Sequence, residues 1–453
     1  MIFAVAALLA AALAAGFLLW QVDPAYALCA GIGLSIFAGN WHALGLPGFP
    51  FVPDRLAFAL VVAMVVLRAP AARGRPRFVL RPEHLLLVLV VAYAVCSALI
   101  AGTIGRSTAI FALLDRLGVV PFGLFVLAPL VLHSARQRNL LLLLLLGLGT
   151  YLGLTALLEI AGPHALVFPR YIVNPNYGLH YGRARGPFVE AETDGFAMFA
   201  CAIAAAIVLA TWHERPRLRA WAALTLPLCL LGCLLSLERG VWLGVIAGGA
   251  AGMLTAPELR RWLPATAAVT ALMVVGALAF VPGLSQHVTQ RADDQVPVWD
   301  RQNQNAAAVR MIAARPLGGV GWNRFDETST PYFVQADTYP LTGYGLVVHN
   351  IFLSNAVELG LLGATLWLVA LLAGVGGAIA RRAPPELRAW RRGLLALAVF
   401  WFVVALFNPL QQSFSELLLW TWAGLVSGAA GRAACAAAPG ARPRSSSPPP
   451  RPR

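Results

Sequence analysis

Long apolar runs separated by short breaks recur along almost the whole chain, and about 20 mostly apolar residues are what a helix needs to cross a bilayer. Such runs lie near residues 2–20, 24–40, 52–67, 85–104, 119–133, 140–161, 195–212, 220–236, 241–256, 263–281, 350–379, 393–409 and 414–430. The pattern predicts an all-α integral membrane protein, a polytopic bundle of about 12–13 transmembrane helices over residues 1–430. The first run has no basic segment before it and a second follows at once, so it reads as a membrane helix rather than a signal peptide. Residues 2–40 could equally form one re-entrant hairpin. Two polar interruptions, about 163–194 and 282–349, are too long to be simple connections. In the second, Ala308, Val309 and Ile312 fall at helical spacing until Pro316 stops them, so this loop carries short helices. Residues 431–453, with Ser445 to Ser447 followed by Pro448 to Pro450, have no apolar period and read as a disordered, basic, Pro/Ser-rich tail.

Composition agrees: 59% of residues are hydrophobic and 12% charged, where a soluble domain has roughly 25% charged. The net charge of +14 could suggest a nucleic-acid partner, but its distribution argues for topology instead. All 34 basic residues are arginine, and most lie in alternate short loops: Arg68 to Arg81, Arg136 and Arg138, Arg215 to Arg219, Arg260 and Arg261, Arg381 to Arg392, and the tail. By the positive-inside rule these loops and the C-terminus are cytoplasmic, and both long loops are extracytoplasmic. The six cysteines sit in apolar runs or in the tail, which leaves no disulfide framework outside.

Arginines on the outer side run against the sorting rule and therefore carry information. Tyr181-Gly-Arg183-Ala-Arg185-Gly-Pro-Phe188 leads straight into a span, so Arg183 and Arg185 either snorkel or hold an anion at the head-group level. Ser236-Leu-Glu238-Arg239-Gly-Val-Trp242 occupies a tight turn between spans, where an ionisable pair is costly and is a functional candidate. Guanidinium groups suit a diphosphate because each is planar, permanently charged and able to donate two hydrogen bonds at once. The long loop adds the glycine-rich turn Arg315-Pro-Leu-Gly-Gly-Val-Gly-Trp322 and an aromatic set fit for sugar faces or for a membrane-interface belt. At its far end stands His349, at the mouth of a span that also carries Glu358. No metal-ligand spacing, nucleotide loop or nucleophile elbow is visible, so no metal or cofactor is expected.

Arg185-Gly-Pro-Phe before a span, Ser236-x-x-Arg239-Gly-x-Trp between spans, Arg315-Pro-Leu-Gly-Gly-Val-Gly, and His349-Asn followed by Glu358-x-Gly-x-x-Gly363, in this order, resemble the O-antigen ligase and polymerase family over about residues 140–380. Two details differ: Asn174-Pro-Asn176 precedes the first arginine rather than following it, and Glu238 replaces a hydroxyl residue before the second. The resemblance implies a metal-independent glycosyltransferase in the bacterial cytoplasmic membrane, active on its extracytoplasmic face in cell-surface polysaccharide and lipopolysaccharide assembly. It would move a glycan from undecaprenyl diphosphate to the hydroxyl of a glycan or lipid-linked acceptor. It assigns the diphosphate to Arg185 and Arg239, with Arg183 beside them, and the catalytic role to His349; Glu358, Arg315 and Trp322 are possible supports. The alternative is a transporter or flippase for the same lipid, which should show an internal repeat and polar sites at mid-membrane.

Overall fold

The computed structural model describes residues 20–46, 52–68, 78–260, 284–410 and 412–437, with scattered positions in 14–18 and 264–279. The spans expected at 2–20 and 263–281, and the tail beyond residue 437, lie outside the described residues. Among the described residues there are helices and no strands. The helices are α1 Pro24–Leu34, α2 Pro53–Arg68, α3 Pro82–Ile100, α4 Ser107–Val131, α5 Ala135–Ile160, α6 Ala191–Thr211, α7 Pro216–Leu235, α8 Arg239–Leu254, α9 Leu284–Asp293, α10 Val296–Ala314, α11 Ile351–Ala380, α12 Arg388–Ala405 and α13 Ser413–Ala437. Helices α3 to α7 and α11 are each long and apolar enough to cross a membrane, and α1 and α8 are shorter apolar helices. The chain is an all-α, multi-pass membrane protein.

Local chemistry explains several boundaries. Asp23 caps α1 by accepting from the Ala25 amide at 2.9 Å, with proline at the first helical position. Ser134 and Gln137 form a reciprocal capping box on α5. Asn350 caps α11 through the Phe352 and Leu353 amides at 3.0 and 3.1 Å. Two expected boundaries move. α4 begins at Ser107, well before residue 119, and contains a π-helical stretch Ala112–Leu117 around Asp115 and Arg116. α6 begins at Ala191 instead of near Gly195, because its first turn can hold Glu192 and Asp194 beside the positive end of the helix dipole. The last helix reaches Ala437, into the stretch expected to open the tail.

In a bilayer, helices associate through close packing rather than through the hydrophobic effect, and small residues permit it. α6 is buried along nearly its whole length against α5, α7 and α12. A Cβ at Gly248 would lie 2.5 Å from the Ala396 carbonyl oxygen, so α8 and α12 touch backbone to backbone there. The two ends of the bundle differ. At one, Arg381 donates to Glu83 at 2.6 Å and to Ser427 at 2.9 Å, and Arg81 reaches the same serine. At the other, the 161–190 and 284–350 segments fold over the helix ends.

Candidate active site at the loop end

The residues that could do chemistry are fixed in three layers: a knotted loop, a stitched turn and an ionic cluster around His349. The knot is made by Arg185. Its side chain is buried, and its five donors all end on backbone carbonyls: Nε on Ile172 at 3.1 Å, one terminal nitrogen on Tyr177 and Leu179 at 2.8 and 2.9 Å, and the other on Ile172 and Asn174, both at 2.7 Å. A guanidinium has five N–H groups in all, so none is left over for a head group in this arrangement. Glu159 accepts the Arg185 and Gly186 amides at 3.2 and 3.0 Å, anchoring the same loop to α5. Arg185 thus ties residues 172–186 together through the carbonyls of Ile172, Asn174, Tyr177 and Leu179.

The glycine-rich turn and the Glu358-x-Gly motif meet each other. α11 is broken at Gly360, which has φ 69° and ψ 175°, and the turn after α10 fills the break. Val320 donates to the Val357 carbonyl at 2.9 Å, Gly321 to Glu358 at 3.1 Å, and Leu361 to Pro316 at 2.7 Å. A Cβ on Gly360 would sit 2.1 Å from the Leu317 oxygen, and one on Gly319 2.4 Å from the Val357 oxygen, so both positions require glycine. Arg315 ends α10 with its side chain exposed. Trp322 is fully buried: its indole donates to Ala109 at 3.1 Å and its carbonyl accepts from Thr103 at 2.9 Å. It plugs the loop onto α3 and α4 and is closed to any sugar. Glu358 is buried against Arg116 at 2.5 Å.

The third layer surrounds His349, which precedes the Asn350 cap of α11. Its Nδ1 lies 2.8 Å from Gln304 Oε1 and 2.9 Å from the Val347 carbonyl oxygen. A carbonyl can only accept, so Nδ1 carries the hydrogen and the lone pair is left on Nε2. Burial pushes the imidazole below its ordinary range, and Arg301 pushes it the same way, against weaker opposing pulls from the Val347 carbonyl, Glu192 and Glu238. The ring is therefore neutral at pH 7, with Nε2 able to take a proton. Glu238, buried at the head of α8, binds Arg183 at 3.0 Å and Arg301 at 3.5 Å, so one carboxylate gathers a guanidinium group from the loop before α6 and another from α10. Arg239 is the next residue and the first of α8. Glu192 approaches His180 at 3.3 Å, and Glu190, which caps α6, is pushed up by burial and by Glu192 beside it.

The structure thus brings His349, Arg183 and the Glu238-Arg239 turn to one end of the bundle and adds three residues that sequence spacing did not single out for a role: Arg301, Gln304 and Glu192. Arg301 and Gln304 lie one helical turn apart on α10, a face visible only once His349 is known to pack on it. No group of three or more His, Cys, Asp or Glu side chains among the described residues could hold a metal ion. Residues 224–368, from α7 into α11, match the family model described as O-antigen ligase. No curated protein matches the chain.

Proposed function

We propose that the chain, whose residues 224–368 match the O-antigen ligase family model, works as a member of the O-antigen ligase and polymerase family and transfers a glycan from undecaprenyl diphosphate to an acceptor hydroxyl at the loop end of the bundle, on the extracytoplasmic face. The observation that carries this reading is the contact of His349 Nδ1 with the Val347 carbonyl, beside the arginines gathered on Glu238. The acceptor hydroxyl attacks the anomeric carbon, its proton passes to Nε2 of His349, and the glycosyl–oxygen bond to the carrier breaks with its electron pair leaving on the diphosphate. Arg239, Arg183 and Arg301 are the cations that neutralise that leaving group, each able to grip two phosphate oxygens. Arg185 supports them indirectly, by holding the loop that carries Arg183.

The test is His349→Gln in purified, correctly inserted protein. Glutamine keeps a hydrogen-bonding group but cannot serve as the base, so transfer is expected to fall by at least ~100-fold while binding of the lipid-diphosphate donor stays near normal. Near-normal transfer by this variant would remove His349 from the mechanism. In cells, a deletion strain should lose attached or polymerised surface glycan; accumulation of the lipid-linked donor inside the cell would indicate transport instead.

A further inference from the structure

A second feature of the loop end is not used by this chemistry: a cavity of about 640 Å³ between residues 38–42 and 52–55, the first turns of α4, the turn at 323–327 and the head of α11. Val347 and Val348 line it, while the next residue, His349, turns its ring to Gln304. Its volume is within the roughly 300–1,000 Å³ that small-molecule sites occupy.

The charges lining this cavity are of a particular kind. Arg116 is bound to Glu358, Arg55 to Asp115 and Arg106 to Glu327, so each arginine on the wall already has a carboxylate partner. Asp115 lies behind the lining, while Asp54, which accepts from the Trp41 indole at 2.8 Å, and Asp326 join Glu327 and Glu358 in it, so the wall carries three arginines against four carboxylates. A diphosphate, itself an anion, meets no excess of positive charge there, unlike at the turn around Arg239. Between the ion pairs lie the hydroxyls of Ser107, Thr108 and Ser354 and the aromatic side chains of Trp41, Phe111 and Phe325. Closely set donors and acceptors of both kinds, beside aromatic carbon, suit a polyhydroxylated ring, whose hydroxyls donate and accept and whose C–H faces are apolar.

We propose that this cavity binds the acceptor as a neutral or amino-bearing oligosaccharide, and that its floor, Val347 and Val348, delivers the acceptor's end to the adjoining histidine. The proposal rests on the glycan-transfer reading for the word acceptor, but binding can be read without turnover.

The experiment places a single reactive thiol on the cavity rim. Ser107→Cys, a nearly isosteric change at an exposed position, is made with Cys96→Ser and Cys435→Ser in the full chain in lipid nanodiscs, the other four cysteines being buried; a second protein carries Thr108→Cys instead, in case the first does not fold. Maleimide labelling is timed with chitotriose, its de-N-acetylated triamine, maltotriose or inorganic pyrophosphate at millimolar concentration. At least one of the saccharides should slow labelling about threefold or more, as occupancy well above half requires. A control thiol at exposed Leu166 should be unaffected. Protection by pyrophosphate would make the cavity a donor-diphosphate site and overturn the proposal; so would full-speed labelling of both thiols with all three saccharides. Neither result depends on how His349→Gln behaves, so the two readings fail separately.

Discussion

A guanidinium that ends every donor on backbone carbonyls cannot be replaced by an ammonium, which has three donors on one flexible point. Arg185→Lys should therefore lower thermal stability and expression nearly as far as Arg185→Ala, each by about 2 kcal/mol, because the buried carbonyl of Ile172 and the partly buried ones of Asn174, Tyr177 and Leu179 lose their partners. The fraction that folds should keep donor affinity, measured in nanodiscs; a specific loss of affinity with stability intact would return Arg185 to the diphosphate. At His349 the prediction is one of pH. The active ring is the deprotonated one and its pKa is lowered by burial and Arg301, so transfer should be full near neutrality and fall only as pH drops through a value below the ordinary ~6.5. Gln304→Ala, which removes one of the two acceptors on Nδ1, should cost roughly 1 kcal/mol, a five- to tenfold slower rate, and shift the limb. An acid limb centred above that ordinary value would contradict the assigned environment.

Among the elements, the broken α11 decides how the site is held. Gly360→Ala puts a methyl 2.1 Å from the Leu317 oxygen at a φ of 69°, so it must push the 315–321 turn out of the helix break. The expected loss exceeds the roughly 1 kcal/mol of an unstrained Gly→Ala change in sign and size, and transfer should fall with stability. Gly318→Ala is the control: a Cβ there meets open space, and activity should be unchanged. Equal behaviour of the two variants would show that the stitching between turn and helix is not needed. The helix spans themselves were legible in the apolar windows, down to α11, read as 350–379 and found as Ile351–Ala380. What spacing could not convey was partnership at long range. Glu358 finds Arg116 across 242 positions, and Arg185 binds carbonyls, which leave no trace in side-chain identity. Nor could it foresee that Trp322, an aromatic residue in a polar loop, points inward and seals the loop onto the bundle. Sequence could offer His349, a lone imidazole at a span mouth, as a candidate, whereas Gln304, whose side chain meets its Nδ1, resembles any polar helix residue.

On the scale of the whole molecule, the distribution of arginines along the chain sets the expected topology. We expect the 284–350 segment outside and the C-terminus in the cytoplasm. A reporter active only in the cytoplasm should give signal when fused at Arg444 and none at Gln304; the reverse would move the proposed site to the other face. The stitched turn bears also on how such a site comes into being. A ribosome delivers the chain from its N-terminus, so the 316–321 turn emerges before residues 357–361, to which it is tied by the Val320, Gly321 and Leu361 amides. Until α11 has been made and threaded into the bundle, the loop has arginines, glutamine and histidine but no fastening for its last turn. Competence for the proposed transfer is then expected to arrive late in biogenesis, and a nascent chain stalled before Gly360 would carry the proposed catalytic side chains without the fastening that holds them.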